Sequence, residues 1–218
     1  MAQPFGSGAN TVTRLVLLAL IVVPLSAAAL GMTLARSDYV TGQDRTVEQP
    51  IPFSHAHHTA EIGIDCRYCH TSVEVSAKAG IPPTTTCMTC HSQLWTNSEM
   101  LAPVRESLVT GVRLKWRPVN DLPDYVYFNH SVHVTNGVGC TTCHGPVGEM
   151  KLMRQDAPLT MEWCLSCHRD VGPNLRRPED IYLPFPPRPQ ASRAETQRLL
   201  DYYDIHDGNL AECSTCHR

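Results

Sequence analysis

The chain has few aromatic side chains and almost no net charge. Phe, Tyr and Trp make up 6% of its 218 residues, and the formal net charge is −3. A nearly neutral chain lacks the basic surface by which proteins bind nucleic acid, so we expect no nucleic-acid partner. So few aromatic residues also leave little bulky material for a core, and another source of apolar packing has to be present. In contrast, the chain is rich in cysteine and histidine, with ten and eleven residues.

All ten cysteines fall into five pairs, and a histidine directly follows every pair. The resulting Cys-x-x-Cys-His motifs are Cys66, Cys69 and His70; Cys87, Cys90 and His91; Cys140, Cys143 and His144; Cys164, Cys167 and His168; and Cys213, Cys216 and His217. This spacing is the attachment signature of c-type haem. The two thiols add to the vinyl groups of the macrocycle, and the histidine reaches the iron from one face. The sequence therefore predicts five covalent c-type haems as cofactors.

Other uses of paired cysteines explain this pattern less well. Disulfides suit an exported protein, but they do not require a histidine after every second cysteine. Structural zinc would join the pairs two by two, and five is an odd number of pairs. A redox dithiol motif usually occurs once. We therefore expect a mostly irregular and α-helical fold in which the apolar macrocycles supply much of the core.

Residues 15–35 carry no charge and are long enough to cross a bilayer as a helix. Pro24 lies inside this stretch, and membrane spans tolerate proline. The alternative is a cleaved export signal, with Ala35 as one small residue at which cleavage could occur. Against cleavage, the apolar run is longer than a usual signal core, and Arg14 is the one positive charge before it. We predict a retained single-span anchor.

The side of the membrane follows from the cofactor, because c-type haems are attached on the exported side. We predict that the haem domain lies on the periplasmic side of a bacterial cytoplasmic membrane. The predicted domains are a cytoplasmic N-terminus at 1–14, the transmembrane anchor at 15–35, a linker at 36–50 and the pentahaem cytochrome c domain at 51–218.

The haem domain contains an internal duplication. The stretch FSHAHHTAEIGIDCRYCH at 53–70 is similar to FNHSVHVTNGVGCTTCH at 128–144, and both begin with Phe-x-His-x-x-His. His55 and His130 are 75 positions apart, and Cys66 and Cys140 are 74 apart. Such constant offsets indicate a repeat. The units span about 51–93 and 126–170, each unit holds two motifs, and the fifth motif is appended at 213–217.

The remaining segments carry weaker signals. Between the units, Glu99–Val109 is predicted as a short helix, and the weak alternation of Val112–Val119 predicts a strand. Near the C-terminus, Ser192 and Glu195 form a capping box that is expected to open a helix.

Six histidines lie outside the motifs: His55, His57, His58, His130, His133 and His206. The second axial ligand of a haem decides whether the iron binds small molecules or only transfers electrons. Histidines three residues apart lie near one another on a helical turn and can serve two different haems. We predict His55, His58, His130 and His133 as distal ligands, with His55 and His130 serving the haems at Cys66 and Cys140. His57 is left without a predicted role.

The fifth iron then lacks a second ligand. His206 is one candidate, and a methionine would raise the potential of that haem. Met150, Met153 and Met161 lie between the third and fourth motifs, although methionine often only fills a core. We rank Met150 first, then Met161, then Met153. Nearly complete ligation favours electron transfer over catalysis.

Three stretches of the chain resemble one family. They are DCRYCHTSVEVSAKAGIPPTTTCMTCHSQ at 65–93, NDLPDYVYFNHSVHVTNGVGCTTCHGPV at 120–147 and LTMEWCLSCHR at 159–169. They resemble the pentahaem cytochrome c subunit of alternative complex III over nearly all of residues 50–170, and the terminal CSTCHR fits as well. The Phe-x-His-x-x-His units are also similar to those of class III multihaem cytochromes, in which the two histidines ligate different haems.

This resemblance implies an electron-transfer subunit of a bacterial complex that oxidises quinol. The implied partners are an iron–sulfur subunit related to molybdopterin oxidoreductases, membrane subunits similar to polysulfide-reductase anchors, and a monohaem cytochrome c or terminal oxidase. Quinol oxidation would occur elsewhere in the complex, so the chain itself would not be an enzyme. The alternatives are a membrane-tethered multihaem quinol dehydrogenase that feeds a periplasmic reductase, and a multihaem enzyme that reduces a small substrate such as nitrite at an iron with an open position.

Overall fold

The structure is a computed structural model that describes residue 6 and residues 8–186, 192–206 and 208–217. In this part of the chain, short helices alternate with irregular segments, and there are two isolated β-bridges but no β-strand. The predicted mostly irregular and α-helical fold is therefore confirmed. The chain divides into two compact units, Met1–Gly42 and Gln43–Arg218.

The first unit is built on one long apolar helix. Helix α1 spans Ala9–Ala35, contains Pro24 and has no buried residue. Its length and composition suit a membrane span, and an N-terminal signal sequence has the same properties. The predicted span at 15–35 lies within it. A single turn, α2, follows at Asp38–Thr41 and ends at Gly42, whose positive φ of 74° allows the chain to turn.

The second unit contains eight further helices in the described residues. They are α3 at Cys66–Cys69, α4 at Thr84–His91, α5 at Ala102–Thr110, α6 at His130–Thr135, α7 at Cys140–His144, α8 at Met161–Arg169, α9 at Arg193–Tyr202 and α10 at Cys213–Cys216. A π-helical turn forms at Ala56–Glu61, and 3₁₀ turns form at Glu99–Leu101, Val147–Glu149, Gly172–Asn174 and Pro178–Asp180.

The predictions for the connecting segments have mixed outcomes. The helix expected at Glu99–Val109 forms as a 3₁₀ turn followed by α5, and Ser192 Oγ caps α9 by accepting from Glu195 N. The predicted strand at Val112–Val119 is wrong. A strand needs a neighbouring strand for its hydrogen bonds. Here the side chain of Gln49 pairs with the main chain of Arg117, because Arg117 N donates to Oε1 and Nε2 donates to Arg117 O, both at 2.9 Å.

The two repeats differ by one residue, and the structure absorbs the difference locally. The first repeat has eight positions from His58 to Cys66, whereas the second has seven from His133 to Cys140. The extra residue falls where Ala56–Glu61 forms a π-helical turn, while the matching segment forms the α-helical turn α6. A π-helical turn accommodates one more residue than an α-helical turn, which is the physical reason for this difference.

In each repeat, a main-chain carbonyl group accepts a hydrogen bond from the start of the histidine-bearing turn of the other repeat. Ser131 N donates to Ser76 O at 3.1 Å, and Ala56 N donates to Met150 O at 3.0 Å. Ser76 and Met150 are 74 positions apart, the same offset as the first cysteines of the two repeats. The duplication seen in the sequence is therefore also a reciprocal packing of the two repeats.

The hydrophobic core of the second unit consists of small clusters. Ile51, Leu101 and Val104 form one cluster, with Trp116 among the residues packed against it. A second cluster contains Val73, Val134 and Ile181. Most globular domains have one contiguous core. The prediction that attached macrocycles supply much of the apolar packing is compatible with these small clusters.

Candidate haem-binding sites

Each Cys-x-x-Cys-His motif forms or ends a helical turn. The turns are α3, the end of α4, α7, α8 and α10. Cysteines three residues apart lie on one face of such a turn, which brings both sulfur atoms to one side. Asp65 and Thr160 cap α3 and α8 by accepting from Arg67 N and Trp163 N. No disulfide joins any of the ten cysteines, so each pair is free for thioether attachment.

Four of the five motif histidines lie opposite one of the four predicted distal histidines. The distances between ring centroids are 6.5 Å for His55 and His70, 6.2 Å for His58 and His91, 6.4 Å for His130 and His144, and 6.0 Å for His133 and His168. An imidazole nitrogen lies about 2 Å from a bound first-row metal and about 1 Å from its own ring centre, so imidazoles on opposite faces of one iron have centroids about 6 Å apart. All four pairs have the separation that a six-coordinate haem iron requires.

The angles between the paired rings follow the duplication. The rings are nearly parallel in the pair of His55 and His70, at 1°, and in the equivalent pair of His130 and His144, at 5°. The other two pairs are inclined at 62° and 48°. Within each repeat, the first histidine of Phe-x-His-x-x-His therefore faces its partner in parallel and the second does not.

Main-chain carbonyl groups fix the tautomer of most motif histidines. Nδ1 lies 2.6 Å from Gly80 O in His70, 3.2 Å from Leu94 O in His91, 2.7 Å from Leu210 O in His168 and 3.0 Å from Tyr125 O in His217. A carbonyl oxygen only accepts, so Nδ1 carries the proton and donates. Nε2 then keeps its lone pair for a metal ion, the arrangement found in metal-binding histidines.

Three of the four distal histidines have the same arrangement. Nδ1 lies 2.8 Å from Ser54 O in His58, 2.8 Å from Ala77 O in His130 and 2.7 Å from Asn129 O in His133. The exception is His55, whose Nδ1 is buried without a hydrogen-bond partner. Phe53 and Phe128 pack against the distal rings of their own repeats, with stacked contacts at 4.3 Å to His58 and 4.4 Å to His133.

Burial keeps several of these imidazoles neutral. Burial, followed by the nearby His70, lowers the pKa of His55 to about 4. Burial and then His130 lower the pKa of His144 to about 4 as well. Burial also lowers the pKa of His58 and His133. A histidine must be neutral to donate a lone pair to iron, so the donor set fits haem iron at neutral pH.

Two other histidines face no motif histidine in the described contacts. His57 Nδ1 lies 2.8 Å from Glu61 Oε2, and its ring lies 6.3 Å from Trp95. The side chain of His206 is 84% exposed and pairs with Asp204 at 3.0 Å. That His57 has no ligand role stays a prediction.

The fifth motif is held by the segment that leads into the second repeat. Tyr127 N donates to Cys216 O at 2.8 Å, and the Tyr125 ring lies 5.9 Å from His217. Met150 is 1% exposed, but its main-chain hydrogen bonds join it to Val147 and Ala56 rather than to this motif. Met161 is 68% exposed. The second ligand of the fifth haem stays a prediction.

The motifs form a series in space whose order differs from their order along the chain. The thiols of Cys66 and Cys140 contact each other, so the first motif adjoins the third. Burial raises the pKa of three other thiols, and a cysteine of a neighbouring motif raises it further: Cys87 for Cys69, Cys167 for Cys143 and Cys216 for Cys164. These neighbouring thiols place the motifs in the order second, first, third, fourth, fifth.

One contact was not anticipated from the sequence. The partner of His144 Nδ1 is a side chain, Asn120, whose Nδ2 lies 3.0 Å away. Asn120 belongs to the segment between the repeats and precedes its histidine by 24 positions. No local spacing rule connects the two residues, so only the fold reveals this contact.

Two family models match the chain. The model of the class III cytochrome C family matches residues 34–105, and that of cytochrome c3 matches residues 132–218. The multiheme cytochrome c subunit of menaquinone reductase from Nitratidesulfovibrio vulgaris is 35% identical over 171 residues, which cover 78% of this chain and 68% of the relative. Each repeat thus lies largely within one cytochrome match.

Proposed function

Because this chain belongs to the multihaem c-type cytochromes, in the family of the menaquinone reductase subunit, we propose that it carries electrons through five covalent haems in a quinone-coupled membrane complex. Membership of the family makes the chain an electron-transfer subunit rather than a catalytic one. We propose further that the complex is of the alternative complex III type and oxidises quinol. Its partners would be the iron–sulfur subunit, the polysulfide-reductase-like membrane subunits, and a monohaem cytochrome c or terminal oxidase.

The observation that carries the proposal is the set of four opposed imidazole pairs, with centroids 6.0–6.5 Å apart. An iron with an imidazole on each face has no open position for a substrate, so it exchanges electrons only. The assignment of His55, His58, His130 and His133 as distal ligands rests on these distances. It also rests on the Nδ1 hydrogen bonds, which leave Nε2 free in three of the four residues.

When bound, a c-type haem supplies one-electron chemistry, since its iron alternates between ferric and ferrous states. The chain contributes position and tuning. Its cysteines would tether each macrocycle, and the paired imidazoles would hold the iron in the same way in both oxidation states. The order of the motifs supports a path with the second and fifth haems at its ends. Partner proteins would exchange electrons at these two ends.

The placement of the chain at a membrane is part of this proposal. Helix α1 has the length and composition of a membrane span. We propose that it is retained as the anchor, with residues 1–14 in the cytoplasm and a linker at 36–50. Residues 51–218 would lie on the periplasmic side. N-terminal sequencing of the mature chain tests retention, because a cleaved signal would remove the start of the chain.

Met150 remains our proposal for the second ligand of the fifth haem, with Met161, Met153 and His206 as alternatives. The support for this role is its place in the sequence between the third and fourth motifs, whereas in the structure its carbonyl oxygen pairs with Ala56 of the first repeat. Replacement of Met150 by leucine, which conserves volume, should then change one haem from low-spin to high-spin. Unchanged spectra in the Met150→Leu variant would mean that Met150 is not the ligand. Met161, Met153 and His206 would then be replaced in turn.

A second candidate concerns the direction of electron flow. The relative from Nitratidesulfovibrio vulgaris is named as a subunit of a menaquinone reductase. In such a complex, the cytochrome would deliver electrons to the quinone instead of receiving them from quinol oxidation. The haem chain serves either direction, and the partners decide which one operates.

The test is to purify the native complex in mild detergent and assay it in both directions. Quinol:cytochrome c reductase activity that is lost when the cytochrome is separated would support the alternative complex III proposal. Menaquinone reduction by a reduced cytochrome would support the second candidate. Quinol oxidation by the isolated chain would instead identify a membrane-tethered dehydrogenase. The mass of the intact chain, compared with 24.2 kDa for the polypeptide, counts the attached haems.

A further inference from the structure

We propose that Asn120 is a positioning residue of the third haem and lowers its reduction potential. Its side-chain oxygen accepts a hydrogen bond from Nδ1–H of His144 and thereby orients this histidine and strengthens it as an iron ligand. The inference rests on the proposed function in one respect, because it requires that His144 binds haem iron. It assigns a role to a residue outside every motif and every distal histidine.

The geometry places the two side chains in contact and also selects the atom of Asn120 involved. Asn120 Nδ2 lies 3.0 Å from His144 Nδ1, and Oδ1, the other atom of the amide, is buried without a hydrogen-bond partner. With Nε2 on the iron, Nδ1 must carry the proton, so its neighbour must be an acceptor. The oxygen and nitrogen of an amide exchange places by a half-turn of the group, and the hydrogen-bond network decides between them. A half-turn of the amide brings Oδ1 to His144 as the acceptor that its Nδ1–H requires.

This contact distinguishes His144 from the other four motif histidines. Their Nδ1 atoms lie against main-chain carbonyl oxygens, including Gly80 O for His70, the equivalent histidine of the first repeat. The rings of these two equivalent histidines face their distal partners at nearly the same angle. Among the five motif histidines, His144 is thus the one whose Nδ1 partner is a side chain, and a mutation can replace a side chain.

The hydrogen bond between Asn120 and His144 lies where solvent has little access, which increases its effect on His144. The far side of the Asn120 amide is inaccessible to solvent, and both Asn120 and His144 are only partly exposed. Water cannot readily replace a lost acceptor at such a position. An acceptor on Nδ1–H makes Nε2 a stronger donor, which favours the ferric state and lowers the potential. A carboxylate would strengthen this effect, and an apolar side chain would remove it.

The experiment uses two replacements of nearly equal size, Asn120→Asp and Asn120→Leu, in the full-length chain with its haems. A redox titration followed by optical and electron paramagnetic resonance spectra resolves the individual haems. We expect the midpoint potential of one haem, the third, to fall in Asn120→Asp and to rise in Asn120→Leu. The midpoint potentials of the other haems should not change. Asp121→Asn is the matched control, because it changes one charge at the adjacent exposed position.

Three results would overturn the inference: no shift in either variant, shifts of the same sign in both, or a shift in Asp121→Asn as large as that in Asn120→Asp. If Asn120→Leu fails to take up the full haem complement by mass, the Asn120→Asp result and its Asp121→Asn control decide. Failure of the proposed function looks different. In that case, the wild-type peptide that contains Cys140 and Cys143 would carry no haem mass.

Discussion

The imidazole rings of His55 and His70 face each other with their centroids 6.5 Å apart and their planes within 1° of parallel. The two histidines are 15 positions apart in the chain, and the π-helical turn and α3 bring them together. The same relationship recurs between His130 and His144 at 6.4 Å and 5°. Two separate stretches of chain thus arrive at one geometry, and it is the geometry that the proposed pair of axial imidazoles on one iron requires.

The turn that carries His57 and His58 offers a matched pair of variants. His58 faces His91, whereas His57 pairs with Glu61. Replacement of His58 by alanine should remove one axial ligand and convert one haem from low-spin to high-spin. Replacement of His57 by alanine should leave every haem low-spin. Electron paramagnetic resonance of the oxidised chain measures both, and equal spectra for the two variants would refute the assignment of His58.

Arg176 should raise the potential of the third haem. It is 6% exposed, lies near Cys140 and Cys143, and has a buried Nη1 without a hydrogen-bond partner. A buried cation favours the ferrous state, which carries one positive charge fewer. At about 10 Å and an effective dielectric constant of about 20, the interaction is about 1–2 kcal/mol. In a redox titration of the haem-loaded chain, replacement of Arg176 by methionine should lower the midpoint potential of the third haem by the equivalent of this interaction energy.

The neighbouring Arg177 provides the control for that measurement. Its guanidinium is exposed and pairs with Asp180 at 2.8 Å. Solvent and the Asp180 carboxylate screen its charge, so Arg177→Met should shift no haem potential appreciably. A similar shift from both variants would mean that burial of Arg176 is unimportant.

Gly137 should be intolerant of any side chain. Its φ is +83°, and a Cβ atom there would overlap the ring of Tyr203. The Tyr203 hydroxyl donates to Arg176 O at 2.8 Å, so the ring cannot move away freely. We expect Gly137→Ala to lower the free energy of unfolding by about 2–4 kcal/mol.

Gly111 separates the two contributions to that loss. Its φ is +71°, but nothing lies within 4 Å of an added Cβ atom. Gly111→Ala should therefore cost about 1 kcal/mol, from backbone strain alone. Thermal unfolding of the haem-loaded chain compares the two variants. An equal loss in both would show that the contact with Tyr203 contributes nothing.

Removal of the fifth haem should leave the rest of the series intact. This motif lies at one end of the series, next to the fourth through Cys164 and Cys216. Replacement of Cys213 and Cys216 by alanine should remove one haem by mass while the other midpoint potentials change little. Electron exchange with one partner should fall at least tenfold in stopped-flow measurements. Full retention of both partner reactions would contradict the position of this haem at an end of the path.

The chemistry and the repeat could be predicted from the sequence because both depend on residues that are close along the chain. A Cys-x-x-Cys-His motif is one helical turn, and Phe-x-His-x-x-His is another, so their local geometry follows from spacing alone. The capping of α9 by Ser192 was predictable for the same reason. The strand expected at Val112–Val119 was wrong because a strand depends on a distant partner, and the side chain of Gln49 takes that place.

Only the tertiary structure decided which groups face each other over long distances in the chain. It placed His58 opposite His91 and His133 opposite His168, and it ordered the motifs as second, first, third, fourth and fifth. It also brought Asn120 to His144. These relationships join residues that are far apart along the chain, and no local spacing rule relates them. By itself, the sequence determined what the chain can bind; the fold decided how the bound groups are arranged and which side chains tune them.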